Sequence, residues 1–299
     1  MTAFSALVKR NTKLFFKDKG MFFTSLITPF ILLVLYSTFL AGVYRDSFAS
    51  AIPKTFTVPQ QLIDGTVAAQ LISSLLAVSC VTVAFCSNLL MVQDKISGAK
   101  RDICISPVRR SVVAGAYFAS SSLSTLIITF TALTVCLLYQ FKMGWYLSGA
   151  DVAFLFLDVF LLTLFGVALS SCVNFFLSTN GQASAVGTIV SAGYGFICGA
   201  YMPISSFSAG LQKALSFLPG TYATSLLRNH AMRGVFSEME SLGFPAEVMK
   251  GIRDGVDCNI YFFEESVKEG AMYAVLCGSV AVLVLLYIIF NVFSKKKAE

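Results

Sequence analysis

Long runs of apolar residues, separated by short polar stretches, dominate the pattern along this chain. Because about 20 apolar residues are needed to cross the hydrocarbon core of a bilayer, such runs predict membrane-spanning helices. Six are predicted, at residues 21–44, 66–91, 112–139, 152–177, 183–202 and 270–293. Five of them contain no charged residue, and the fourth contains only Asp158. The first is too long for the 7–15-residue apolar core of a signal peptide.

The segment ahead of the first span is amphipathic rather than continuously apolar. Its apolar positions fall at helical spacing, and basic residues occupy much of the remainder: Lys9, Arg10, Lys13 and Lys17. Residues 1–20 are therefore predicted to form a basic helix that lies in the inner membrane interface. This helix serves either as a simple anchor or as a contact for a partner, and the pattern favours neither.

Between the fifth and sixth spans, proline interrupts the apolar pattern. Segment 204–218, between Pro203 and Pro219, is apolar but too short to cross a membrane, and 220–233 is amphipathic. Two short re-entrant helices that dip into the outer leaflet are predicted here, where they plug a cavity or cap the helix bundle. Residues 237–267 have mixed charge and several glycines, which predicts a small solvent-exposed helical insertion.

Lysine and arginine are distributed unevenly between the two sides of this six-span arrangement. Segment 1–20, the loop at 92–111 and the tail at 294–299 together carry 13, against nine on the other side. Because short cytoplasmic segments carry the excess of positive charge, both termini and the charged loop are predicted to be cytoplasmic. Residues 203–269 are then extracytoplasmic, in a multi-pass protein of the cell membrane.

The composition agrees with an integral membrane protein. Charged residues make up 13% of the chain, about half the share in soluble domains, and the mean hydropathy is +0.76. A net charge of +6 would suit nucleic acid, but the basic residues follow the membrane topology, so no nucleic-acid partner is predicted. The predicted fold is an all-α integral membrane protein surrounded by membrane lipid.

No enzyme is predicted. The chain lacks a G-x-x-x-x-G-K-[ST] phosphate loop, and its only histidine, His230, has no metal-ligand context and is interpreted as a bystander. No buried nucleophile paired with a base is evident, so no catalytic residue, metal site or bound cofactor is predicted. Cys198 and Cys258 fall on one predicted face of the membrane, where two free thiols are preferred to a disulfide.

Two features inside the spans have both a structural and a functional interpretation. Asp158 is a functional candidate by default, but its shallow depth favours a structural pairing with an outer-leaflet base such as Arg228, or a water-facing position near the surface. In the fifth span, small residues that suit helix packing or a translocation path include Gly187, Ser191, Gly195 and Gly199. Packing within one subunit is favoured over a close crossing that lines a gate or a subunit interface.

The charged loop and the proline-bounded hairpin carry motifs in a fixed order. In the loop, the motif residues are Asp94, Lys95, Gly98, Ala99, Asp102, Ile103, Ile105, Ser106, Pro107, Val108 and Arg110. In the hairpin, they are Leu218, Pro219, Tyr222, Leu227 and Arg228. Together with the order of the spans, these motifs resemble the type-2 ATP-binding-cassette exporter permeases, membrane subunits that work with a separate ATPase chain. The likeness covers nearly the whole chain, with departures at Gln93, Lys100 and Gly115-Ala116.

The resemblance implies roles for particular residues. A short coupling helix at about 94–103 would dock on the ATPase through residues in and beside it: Asp94, Lys95, Gly98, Lys100, Arg101, Asp102, Pro107 and Arg110. The outer short helices would form an exit gate that includes Pro203, Pro219, Tyr222 and Arg228. ATP and Mg would be bound by the partner ATPase, and a second permease subunit, identical or related, would complete the path.

The function that the resemblance implies is outward movement of an amphiphilic or hydrophobic cargo, such as a drug, lipid, peptide or glycan. Two other classes stay open: a secondary transporter or channel that works without ATP, and a membrane scaffold or sensor with residues 237–267 as its receptor surface. A secondary transporter usually has intramembrane acids or broken helices near the midplane, and only Asp158 meets that description.

Overall fold

The computed structural model describes residues 2–51, 58–263 and 265–293, which form an almost entirely helical protein. The helices are α1 (Ala3–Lys17), α2 (Lys19–Leu35), α3 (Ala41–Ala51), α4 (Gln60–Ile96), α5 (Ala99–Ile105), α6 (Arg110–Met143), α7 (Gly149–Phe176), α8 (Asn180–Ile197), α9 (Ala209–Leu215), α10 (Pro219–Ser241), α11 (Ala246–Gly255) and α12 (Glu269–Phe293). A π-helical turn at Tyr36–Leu40 joins α2 to α3. Two-residue strands β1 (Tyr261–Phe262) and β2 (Glu265–Ser266) pair antiparallel. The predicted basic tail at 294–299 lies outside the described residues.

Within the described ranges, five helical stretches are long and apolar enough to cross a membrane. They are Lys19–Asp46, which runs from α2 into α3, and the helices α4, α6, α7 and α12. These stretches confirm the prediction of an all-α membrane protein. The helix α8, predicted as the fifth of six spans at 183–202, is not among the five.

The helix α8 differs from its prediction at both ends. It begins at Asn180, after Thr179 caps it by accepting a hydrogen bond from the Gln182 backbone N–H at 3.2 Å, so its first turn is polar. It ends at Ile197 because Gly199 has a φ of +75°, a left-handed conformation that reverses the chain. Its 18 residues extend about 27 Å at 1.5 Å per residue.

The helix α4 is the centre of the molecule. Of its most apolar 18-residue window, 89% is buried, and α4 contacts α2, α6, α7, α8 and α10. It is 37 residues long, more than the predicted 66–91, because its polar ends also continue the helix. A Cβ on Gly166 of α7 would lie 3.0 Å from the Cys80 carbonyl oxygen of α4, so glycine permits these two backbones to approach closely.

Buried polar side chains join α4 to α6 and α7. The Asn88 amide nitrogen donates to the Ser170 and Ser171 hydroxyls at 3.0 and 2.7 Å, and the Ser121 hydroxyl donates to the Asn88 carbonyl oxygen at 3.2 Å. A second contact of 2.6 Å joins the hydroxyls of Ser87 and Thr125. These bonds connect the three helices inside the apolar bundle, where water does not compete for them. We infer that α4, α6 and α7 move as one unit.

The hairpin formed by α9 and α10 enters the bundle from the side opposite α5. Pro219 occupies the first turn of α10, where the missing N–H costs no hydrogen bond. Its neighbours Leu218 and Gly220 lie beside the middle of α12, at Gly278 and Leu283. The helix α10 is longer than the predicted 220–233, and it ends at Ser241. The short helix, two-residue sheet and turns that follow form a small subdomain.

Candidate functional site

The charged loop contains a short helix, but not at the predicted position. Helix α4 continues to Ile96, and Gly98 then takes a φ of +83° before α5 begins at Ala99. The helix α5 ends at Ile105, where Ser106-Pro107 stops it. The predicted coupling helix at about 94–103 is therefore wrong in its bounds, since Asp94 and Lys95 belong to the end of α4. The sequence pattern predicted one continuous helix over about 94–103. The break between α4 and α5 depends on the positive φ of Gly98, which the pattern does not reveal.

The surface of α5 is open to a partner. None of its residues is buried, and Arg101, Asp102 and Cys104 are exposed. Ile105 is 78% exposed, although it belongs to the short charged helix α5 and not to an apolar span that lipid would cover. The preceding turn and the following Pro107 hold this helix as a separate projection from the ends of α4 and α6. The exposed surface of α5 therefore presents charged and apolar groups together.

Lys100 and Arg110 lie at the base of this projection and are half-buried. The Lys100 ammonium lies 5.9 Å from the centre of the Phe175 ring. Burial lowers the pKa of Lys100 below its ordinary value, and the positive charge of Arg110 lowers it further. The side chains of Lys100 and Arg110 are therefore each partly covered by the helix bundle and partly open to solvent.

Asp94 faces the interior of the protein and not a partner. Its carboxylate accepts hydrogen bonds from the Arg10 guanidinium at 2.7 and 3.2 Å and from the Tyr117 hydroxyl at 2.6 Å. The hydrogen bond to Asp94 raises the pKa of Arg10. Asp94 thus ties α1 to α4 and α6, which sequence spacing alone did not indicate because Arg10 lies 84 residues away.

Lys95 closes the end of α7. Its ammonium donates to the backbone carbonyls of Asn174, Phe175 and Leu177 at 2.9, 2.6 and 2.8 Å. Asn174 and Phe175 belong to the last turn of α7 and Leu177 is its C-cap, where carbonyls lack intrahelical partners and carry partial negative charge. Lys95 therefore links the residues just before α5 to the turn between α7 and α8.

Replacing Lys95 with methionine is expected to lower the free energy of unfolding by about 2 kcal/mol, because a charged donor to three carbonyls is lost. Hydrogen exchange at residues 174–179 should also increase, since the last turn of α7 loses its cap. Lys142→Met, at an exposed position in the last turn of α6, is the control and should change stability little. Equal effects of the two variants on exchange at 174–179 would disprove the cap.

The predicted basic helix is present as α1, and it packs against α6 and α2. Phe15 and Asn11 are buried, while Lys9, Lys13 and Lys17 are exposed. The helix α1 is therefore amphipathic, and its position in the inner membrane interface stays a prediction. Through the Arg10–Asp94 pair, α1 also supports the end of α4.

Arg228, predicted at the outer gate, is a buried link on the side opposite α5. Its guanidinium donates to the Asp257 carboxylate at 2.9 Å, to the Ser74 hydroxyl at 3.3 Å and to the Gly199 carbonyl. The Asp257 carboxylate also accepts the backbone N–H of Ile204 at 2.7 Å. Arg228 therefore joins α10 to α4, to the end of α8 and to the turn after α11.

The remaining predicted gate residues are spread along the same region. Tyr222 is buried in the first turns of α10, and its hydroxyl donates to the Ser216 carbonyl. Pro219 begins α10, and Pro203 precedes the 3₁₀ turn at Ile204–Ser206. The structure brings Pro203 and Arg228 together around Asp257, because Asp257 binds the backbone N–H of the residue after Pro203. Pro219 and Tyr222 belong to the other end of the hairpin.

Asp158 has a partner, but the predicted partner Arg228 is wrong. Its carboxylate lies 2.6 Å from the His230 Nδ1 atom and accepts the Tyr273 hydroxyl. His230 is 1% exposed and stacks on Phe154 at 4.8 Å, so this histidine, interpreted from the sequence as having no ligand role, has a structural one. The cluster joins α7, α10 and α12. Sequence reasoning missed it because 72 residues separate Asp158 from His230.

The small residues of α8 do not form one continuous packing face. A Cβ on Gly195 would lie 2.3 Å from the Tyr201 ring, and Gly199 forms the reversing turn. The Ser191 carbonyl accepts the Tyr201 hydroxyl at 3.2 Å, whereas Gly187 has no heavy atom within 4 Å of an added Cβ. The glycines at the end of α8 therefore serve a turn inside the subunit.

The cysteines and acids of the described ranges form no metal site. No group of three or more histidine, cysteine or acidic residues is placed to hold a metal ion within those ranges. Cys198 and Cys258 are both buried free thiols. Burial raises the pKa of Cys258 to about 12, so this thiol stays protonated at neutral pH.

Comparison with known proteins gives one finding and one negative result. Residues 47–294 match a family model described as ABC-2 family transporter protein. The match includes α5, the Asp158 cluster and Arg228, whereas most of α1 to α3 precedes it. No curated protein matches the chain.

Proposed function

Because this chain belongs to the ABC-2 family of transporter proteins, we propose that it is the permease subunit of an exporter driven by a separate ATPase. It moves an amphiphilic or hydrophobic cargo outward across the cell membrane. ATP and Mg are bound and used by the partner ATPase, and this chain supplies the path. A second permease subunit, identical or related, completes the transporter.

The exposed helix α5 carries this proposal. It is a short charged projection with an exposed isoleucine, and it is placed between two long helices of the membrane domain. Its base is fixed to the bundle by Lys95 and Asp94, so a push on α5 reaches α4, α6 and α7 together. Rigid-body movement of packed elements is an established way to transmit such a push. We assign docking on the ATPase to Arg101, Asp102 and Ile105.

The proposed topology has six spans, with α8 as the shorter fifth span. An even number places both termini and α5 on the cytoplasmic side, in agreement with the excess of lysine and arginine there. The hairpin of α9 and α10 then enters from the outer leaflet. The Arg228–Asp257 pair and the Asp158–His230 pair hold this hairpin in place and form the fixed part of the outer gate.

The docking role of α5 is tested by co-purification. Ile105→Asp is expected to reduce retention of the partner ATPase at least tenfold, because burying an unpaired carboxylate in a protein interface is unfavourable. Leu242→Asp is the matched control, since Leu242 is an exposed apolar residue beyond the end of α10. Undiminished ATPase retention by the Ile105 variant would place the docking surface elsewhere.

Thiol labelling tests the orientation. A membrane-impermeant maleimide is expected to label Cys104 of α5 in inside-out vesicles and not in right-side-out vesicles, because Cys104 is exposed on the proposed cytoplasmic side. Cys258 should stay unlabelled in both, because it is buried and its pKa is about 12. The Cys104→Ser variant supplies the background. Labelling of Cys104 only from the outside would reverse the proposed topology.

One observation favours a second candidate function, a secondary transporter that works without ATP. The Asp158 carboxylate is buried next to His230, as in sites that carry protons through membrane proteins. Under that alternative, Asp158→Asn abolishes flux in the absence of ATP. Under the proposed function, the same variant keeps ATP-driven transport, because asparagine preserves the size and most of the hydrogen bonds.

A further inference from the structure

A pocket of ≈ 530 Å³ lies between α3, the first turns of α4 and the helices α10 and α11. It is at the end of α4 remote from α5, and it is separate from the Asp158 cluster. Its walls are mostly apolar and include Phe48, Val67, Met232 and Ile252. None of the described residues that line it is charged. The volume falls in the range of sites that enclose small molecules.

Gln70 distinguishes this pocket from a simple groove between helices. Its side chain lines the pocket and is only 3% exposed. Neither its amide oxygen nor its amide nitrogen makes a hydrogen bond of normal geometry with the described residues, although the Tyr44 hydroxyl is close enough to interact with it. A buried amide without partners is unfavourable, and such a group calls for an explanation.

A second pocket, of ≈ 450 Å³, provides the comparison. It lies between α2, α4 and α6 and is lined by apolar side chains together with Thr131 and Cys136. The Thr131 hydroxyl donates to the Ile127 carbonyl at 2.7 Å, so it offers no free hydrogen to a ligand. This second pocket suits a lipid acyl chain, whereas the pocket at Gln70 also presents an amide that makes no hydrogen bond of normal geometry with the described residues.

We propose that the pocket at Gln70 binds an uncharged amphiphile with a hydroxyl group on an apolar body. The hydroxyl donates to the amide oxygen of Gln70 and accepts from the amide nitrogen, while the body contacts Val67, Met232 and Ile252. A charged headgroup is excluded because the lining supplies no opposite charge to offset its desolvation. Interpreting this ligand as cargo near its exit rests on the proposed function, but the binding itself does not.

The proposal is tested by photolabelling the full chain, together with its ATPase, in lipid nanodiscs. The probe is a twelve-carbon alcohol with a diazirine in the middle of its chain, and the control probe is the matching alkane without the hydroxyl. Mass spectrometry locates the labelled residues. The alcohol is expected to label residues 66–70 and 248–256, and excess 1-dodecanol should prevent this labelling.

Gln70→Leu is expected to reduce the competable labelling by the alcohol about tenfold, because a pair of hydrogen bonds is lost. Labelling by the alkane should stay the same. This variant removes a buried amide that makes no hydrogen bond of normal geometry with the described residues, so it should not impair folding. Thr131→Val, in the comparison pocket, should leave labelling by the alcohol unchanged.

Equal labelling of this pocket by alcohol and alkane, or an undiminished signal in Gln70→Leu, would overturn the proposal and leave only a lipid groove. Its failure is distinguishable from failure of the proposed function. If the ATPase binds the chain and the pocket is not labelled, the pocket proposal fails alone. Labelling without any bound ATPase supports the pocket and contradicts the permease assignment.

Discussion

An Arg228→Met variant is expected to lose about 3–5 kcal/mol of unfolding free energy, the largest effect of any single change considered for this protein. Arg228 is 1% exposed, and its guanidinium is paired with Asp257 at 2.9 Å. Removing the arginine leaves the Asp257 carboxylate buried without its opposite charge. The measurement is the thermal or denaturant-induced unfolding midpoint of the purified chain.

A double variant, Arg228→Met with Asp257→Asn, separates this explanation from a loss of packing. Asparagine still accepts the N–H of Ile204 but needs no compensating charge, so the double variant should regain a large part of the lost stability. Arg253→Met, which removes a surface pair with Glu240, should cost about 1 kcal/mol or less. A double variant no more stable than Arg228→Met would refute the role of the buried pair.

Arg228→Met should also affect export and ATPase binding differently. Arg228 contacts Ser74, about 33 Å along α4 from Ile96 at 1.5 Å per residue, and α5 lies beyond Ile96, so the change is expected to impair export while the ATPase still co-purifies. This result follows because the docking surface keeps its own contacts at Lys95 and Asp94. Loss of ATPase binding in a folded Arg228 variant would mean that the assigned sides are wrong.

A Gly98→Val variant is expected to lower ATP-driven transport at least tenfold while the ATPase remains bound and active. Gly98 has a φ of +83°, which a β-branched residue adopts only with strain, so valine should tilt α5 away from its position. A Cβ at this position meets no heavy atom within 4 Å, so the effect is one of backbone conformation and not of crowding.

Gly98→Asn is the matched control, because asparagine tolerates the left-handed conformation much better than valine. It should keep most of the transport activity. The measured quantity is the ratio of cargo transported to ATP hydrolysed, determined in the same vesicles. If the valine and asparagine variants have the same ratio, the angle at Gly98 does not determine coupling.

The sequence predicted the long helices because their apolar runs are a local signal. It also located the break before α10 at Pro219, since proline acts on its own neighbourhood. The end of α8 was missed for a related reason. Small residues at every fourth position suit a helix seam as well as a turn, and only the φ of Gly199 distinguishes them.

The polar partners could not be read from the sequence. Asp94 pairs with Arg10, Asp158 with His230, and Lys95 with carbonyls of α7, each across more than 70 residues. Spacing within one helix gives only neighbours at three or four residues, so it cannot indicate which helices meet. Lys95 and Asp94 look like docking residues in the loop motif, but the fold uses them to attach that loop to the bundle.

The most direct test of ATP-driven export is transport by inside-out proteoliposomes that contain this chain and its partner ATPase. Uptake of a fluorescent amphiphile is measured with ATP and Mg outside, and with a non-hydrolysable ATP analogue as the control. Accumulation against the concentration gradient is expected only with hydrolysable ATP. Equal uptake without ATP, or uptake by this chain alone that merely follows the gradient, would contradict it.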